Sequence, residues 1–181
     1  MRRSFVPVIA VLTLVLSLVA ASPARAGGGP EKVFAGKILT SDKKFPTYAK
    51  SAGAYTAALR KQSKNQFWED KAKQTWKIYF AAFFKKGLTD IEVVVKLYDV
   101  TNGQKNLMAS FEQYVDQRGQ TALLSQFTLE RKLVGVNKQV LMIIEVGGRS
   151  VASGKFKILG QEERLTGKVD FSEDDTHKTD D

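Results

Sequence analysis

The chain contains no cysteine and one histidine among its 181 residues. Without cysteine there are no disulfides, thiolate metal sites, cysteine nucleophile or lipidated cysteine. The lone histidine, His177, stands in a polar C-terminal stretch, so histidine-based zinc sites and Ser-His-Asp catalysis lack their residues. Prolines number only 4. The glycines at 27–29 are not followed by the lysine-serine or lysine-threonine pair of a phosphate loop. The acids Glu173, Asp174 and Asp175 lack the spacing and the glycine of a calcium loop. No catalytic group, cofactor or metal is therefore expected.

The N-terminal residues fit export. Arg2 and Arg3 precede an apolar run over residues 5–21, and the small residues Ala24 and Ala26 follow, which is the pattern of a signal peptide over residues 1–26. The order Arg2, Arg3, Ser4, Phe5, Val6 resembles a twin-arginine export signal. The alternative is an uncleaved anchor, because the apolar run is near the lower limit for spanning a bilayer. After cleavage no transmembrane span is expected. A leader over 27–32, a β domain over 33–160 and an acidic, largely disordered tail over 161–181 complete the expected organisation. A domain of that size can bury about two thirds of its unfolded-chain surface and fold without staples.

The formal charge of +9 is unevenly spread. Residues 27–160 hold 22 basic and 11 acidic side chains, whereas residues 161–181 hold 3 basic and 8 acidic ones. Such a field attracts anionic partners: acidic glycans, lipid head groups, phosphates or acidic proteins. A solvated lysine surface that keeps the protein soluble explains the same numbers. Nucleic acid is not the expected partner, because export removes the chain from it.

The segment from 76 to 100 organises the expected fold. Trp76, Ile78, Phe80, Ala82 and Phe84 alternate with other residues, the pattern breaks at Lys85, Lys86 and Gly87, and it resumes at Ile91, Val93, Val95 and Leu97. This predicts a β-hairpin with one buried face. The opposite face is also apolar at Tyr79, Ala81, Phe83, Val94 and Tyr98, with Lys77, Lys85 and Lys96 among them. Ahead of it, Ser51 as N-cap and Ala52, Tyr55, Ala58 and Leu59 at helical spacing predict a short helix over 52–63. That helix must lie on something, and the apolar second face of the hairpin is the nearest candidate. Turn signals at Asn102, Gly103, Gly119, Gly147 and Gly148 separate further strands. The order resembles an immunoglobulin-like sandwich: a mostly β, antiparallel fold of about seven strands, with one short helix inserted after the first. The resemblance lies in architecture over 33–159 and implies tolerance for binding roles, not an activity.

On that register Lys77, Tyr79, Phe83, Lys96 and Tyr98 share one face. Aromatic rings interleaved with ammonium groups suit an anionic glycan or an acidic partner segment. They are the candidate partner-binding residues unless the helix buries them. Acid-base chemistry has one candidate, Glu69 and Asp70 beside Trp68, since paired carboxylates next to an aromatic suit a sugar site. An exposed charged connection, with Trp68 packed against the core, accounts for the same residues. The expected function is an exported, non-enzymatic binding or structural module of the envelope or secreted fraction, whose partner is an envelope protein or an anionic polymer. A glycan- or wall-acting enzyme using Glu69 or Asp70 is the alternative.

Overall fold

The computed structural model describes residues 29–160. The expected signal peptide and acidic tail lie outside them. In chain order the elements are α1 (Pro30–Val33), β1 (Lys37–Ser41), α2 (Ala52–Gln62), β2 (Gln66–Trp68), β3 (Thr75–Phe83), β4 (Glu92–Asp99), β5 (Asn106–Tyr114), β6 (Ala122–Glu130), α3 (Arg131–Val134), β7 (Lys138–Val146) and β8 (Arg149–Leu159). The fold is mostly β, as its alternating segments predict. No described helix is long and apolar enough to cross a membrane.

All eight strands belong to one mixed sheet, ordered β5-β4-β7-β8-β1-β3-β6 with β2 also on β8. The sheet curls into a half-barrel. The expected pairing of two antiparallel sheets as a sandwich is not what the ladders form, and two of them, β1 with β8 and β2 with β8, are parallel. The inner face carries the main core, including Ile78, Phe80, Val95, Leu97, Met142, Ile144 and Phe156. Each such side chain, once fully buried, contributes about 1.5–3 kcal/mol.

The predicted hairpin of residues 76–100 does not form. Both sides of β3 are occupied, by β1 and, over nine consecutive pairs, by β6. Strand β4 pairs instead with β5 and β7. The reason lies in the connection. A two-residue hairpin turn needs left-handed backbone. Gly147 and Gly148 supply it with φ of 53° and 77°, and β7 and β8 pair directly across them. Gly87 does not enter that region. The segment 84–91 instead buries Phe84 and Leu88 in the core and bonds to the β5–β6 connection. The inward alternation was nevertheless legible: Trp76, Ile78, Phe80, Ala82, Phe84, Val93, Val95 and Leu97 are all buried, and only Ile91, 44% exposed, escapes.

Strands β1 and β2 are two pieces of one interrupted strand beside β8. Lys37 is opposite Ser153, and the chain returns at Gln66 opposite Lys157. The excursion between them is clipped at its base, where the Lys64 amide donates to the Thr40 carbonyl at 2.7 Å and the Thr40 hydroxyl donates to the Lys64 carbonyl at 2.6 Å. Its helix, α2, matches the expected boundaries. Ser51 caps it by accepting from the Ala54 amide, and Leu59 anchors it in a second apolar cluster with Phe34, Phe45, Ala81 and Phe83. The apolar residues Val33, Phe34, Ile38 and Leu39 predict a first strand over 33–41, but β1 starts only at Lys37, because Pro30–Val33 forms a helical turn that sends Phe34 into this cluster.

At the joint between the two parts of the sheet, β1 approaches β8 closely at Gly154. A Cβ there would stand 2.5 Å from the Ile38 carbonyl oxygen. At the β4–β5 turn Asp99 accepts from the Lys138 ammonium at 2.8 Å and from the Thr101 amide at 2.9 Å. These bonds, the lysine foremost, pull its carboxyl down to about 2.

Candidate functional site

The five residues expected to share one face fall on two separated strands. Lys77 and Tyr79 stay together on the outer face of β3, with the Lys77 ammonium 5.2 Å from the Tyr79 ring centroid. Phe83, on the same strand, is 1% exposed and packs against Phe34 with ring centroids 5.5 Å apart. Leu59 of α2 belongs to the same buried cluster, so the helix helps to cover Phe83, as the packing alternative required. Lys96 and Tyr98 lie on β4, and β7, β8 and β1 stand between β4 and β3. Lys96 forms an ion pair with Glu145 at 2.7 Å, and this hydrogen bond raises its pKa. No common surface joins all five residues.

Glu69 is 4% exposed, with the Arg131 guanidinium 3.5 Å from its carboxylate. Asp70 accepts from the Ala72 amide in the turn that follows. The apolar neighbour packed into the core is Phe67, while Trp68 is 58% exposed. The segment expected as a polar connection therefore supplies a strand, β2, with Phe67 inward.

A concave site lies where the β3–β4 connection meets the β7–β8 turn. A cleft of about 480 Å³ is floored by Phe84, Leu88, Val146 and Val151 and rimmed by Lys85, Lys86, Arg149 and Asp90. Three bonds knit the β3–β4 connection to the β5–β6 connection: the amides of Phe84 and Leu88 donate to the carbonyls of Thr121 and Gln120, and Gly119 donates to Leu88. Gly87 makes this possible, since a Cβ there would stand 2.5 Å from the Gly119 carbonyl oxygen. The Lys85 stem is laid over Gly36, where an added Cβ would come within 2.9 Å of its Cε. The five ion pairs among the described residues use other cations, leaving Lys85, Lys86 and Arg149 outside them.

Tyr79 borders a second hollow of about 420 Å³, lined also by Lys44, Phe45 and Gln126. It has one lysine on its wall where the first cleft has two lysines and an arginine. Among the described residues no group of three or more histidine, cysteine or acidic side chains is placed to hold a metal ion. No protein-family model matches the chain, and no curated protein is significantly similar to it. Sequence reasoning recognised both walls of the cleft, Lys85 to Gly87 and the Gly147, Gly148 pair, as turns, and put Lys85 on the second face of the 76–100 segment, but did not bring the two walls together. No local signal pairs two turns so far apart in the chain.

Proposed function

We propose that the protein is an exported, non-enzymatic binding module of the cell envelope or secreted fraction, and that it holds an anionic polymer at the cleft rimmed by Lys85, Lys86 and Arg149. The supporting observation is that three cations line one cleft over an apolar floor, with Asp90 the only acid among the described lining residues. The excess of 22 basic over 11 acidic side chains in residues 27–160 gives the approach to this site a favourable field. The apolar floor lowers the local dielectric, so each charge-assisted contact there is stronger than on a flat surface.

Heparin, as a probe polyanion, tests the reading. Retention of the protein should fall steeply between 0.1 and 1 M salt, because screening shortens from about 10 Å to about 3 Å. The triple variant K85A/K86A/R149A should elute at clearly lower salt than a control such as K71A/K73A, altered in the turn before β3. Equal elution of the two variants would overturn the assignment to the cleft. The enzymatic alternative through Glu69 or Asp70 gains no support from the position of Glu69, which is buried with Arg131 beside it.

A further inference from the structure

The outer face of β3 and β6 changes character part-way along. At Ala81, Phe83 and Leu124 it belongs to the second apolar cluster and is covered. At the next outward pair Tyr79 stands opposite Gln126, and beyond it Lys77 stands opposite Thr128. Lys77, Gln126 and Thr128 are exposed, so the cover stops at Tyr79. The loop between β1 and α2 forms the step at which it stops. The hollow of about 420 Å³ lies in the angle of that step, with Tyr79 and Gln126 on the strands and Lys44, Phe45 and Thr47 on the loop.

The loop side of the hollow is fixed from behind. Gln62, at the end of α2, donates from its side-chain amide to the carbonyls of both Lys43 and Lys44, at 2.8 and 2.7 Å. The Lys43 amide donates to Ser41 Oγ at 3.0 Å, and Phe45 is sunk in the apolar cluster. A wall held in place before binding spares a ligand much of the ordering cost. What this wall and floor present is uncommitted. Among the described residues the Lys44 ammonium, the Thr47 and Tyr79 hydroxyls and the Gln126 amide enter no hydrogen bond or ion pair. The lining residues include no acid. Asp42 in the loop and Glu130 at the end of β6 are each held by a lysine, Lys64 at 2.5 Å and Lys132 at 2.9 Å. The Lys77 ammonium, 5.2 Å from the Tyr79 ring centroid, brings a second positive charge to the strand side.

We propose that this hollow is a binding site for one acidic sugar unit, a hexuronate. Each part of such a ligand has a counterpart on the page. The negative face of the Tyr79 ring suits the C–H face of a pyranose. Thr47 and Gln126 offer a donor and acceptor each to its hydroxyls. Lys44 and Lys77 supply charge-assisted contacts to its carboxylate. The volume lies in the range of small-ligand sites, about 300–1,000 Å³. The hollow shares no lining residue with the cleft of Lys85, Lys86 and Arg149, so the two sites stand or fall separately.

Titration of the full chain with D-glucuronate, followed by amide chemical shifts, tests the assignment. The shifts should saturate and centre on Thr47, Tyr79 and Gln126. D-glucose, which lacks the carboxylate, and acetate, which lacks the ring, should each bind about tenfold more weakly. The exposed-lysine variant K44A/K77A should weaken glucuronate by about tenfold, whereas K85A/K86A/R149A should leave it unchanged. Acetate binding as well as glucuronate would reduce the hollow to a general anion site and overturn the proposal. So would shifts that do not saturate, an unchanged affinity in K44A/K77A, or a loss confined to K85A/K86A/R149A. Because the comparison of the three probes needs no substitution, a variant that failed to fold would not spare the proposal.

Discussion

The outer face of the sheet is apolar in two places, and the molecule treats them differently. Over β1, β3 and β6, Leu39, Ala81, Phe83 and Leu124 meet Phe34, Phe45 and Leu59 from α1, α2 and the loop between. Over β4 and β7, Val94, Tyr98, Leu141 and Ile143 stay half-buried, and the Lys96–Glu145 ion pair lies among them. Beside them on β5, Leu107 is 58% exposed. Both places show the same sequence signal, a strand with apolar residues on each face. What separates them is the excursion between β1 and β2, which lays one helix over the first region and nothing described over the second. A two-faced strand thus indicates that a cover is possible, not that one is present.

The largest effect should come from Phe83→Ala on the covered side. Unfolding in urea should show a loss of about 3–5 kcal/mol, comparable to the inward Phe80→Ala. Tyr98→Ala on the uncovered side should cost about 1 kcal/mol. Similar small losses for Phe83 and Tyr98 would erase the distinction between the two regions. Next in size is Gly154→Ala at the joint between them. The added methyl must push the Ile38 carbonyl away, at a cost of about 1–3 kcal/mol, and chemical denaturation would show no change if the strands simply slid apart.

Smaller still is Glu145→Ala, which breaks a partly exposed ion pair on the uncovered face. It should cost less than about 1 kcal/mol and lose even that effect in high salt. A separate effect concerns pH. Asp99 is held at about 2, below its ordinary value of 3.8, so the unfolded chain takes up its proton first as pH falls. Its stabilising contribution is complete above about pH 4 and is lost between there and about pH 2. The stability gap between the native protein and Asp99→Asn should close across that window, which thermal melts at stepped pH would resolve.

Local patterns made much of the molecule legible. The period-two runs gave the inward residues of β3 and β4, and Ser51 with Leu59 gave α2 almost to its ends. The glycine pair at 147 and 148 gave the β7–β8 hairpin, because positive φ is a property of the turn itself. Pairing between strands was less accessible. Nothing in residues 76–100 says that β3 prefers β1 and β6, since the preference arises from segments distant in the chain. The candidate surface built on that hairpin was divided for the same reason. Phe67 and the strand β2 were missed because three residues are too few to display a period.

By itself, then, the sequence determined an alternating, mostly β chain without cysteine chemistry, a strongly basic central region, and a helix that needs a surface to lie on. Those properties are set within a few residues or by totals. Tertiary structure alone decided that β3 and β4 are separated by three other strands, that Lys77 and Tyr79 part from Lys96 and Tyr98, and that Lys85, Lys86 and Arg149 meet over one cleft. Each of these depends on which distant edges pair. Period-two alternation fixes the face of a residue but not the neighbour of its strand.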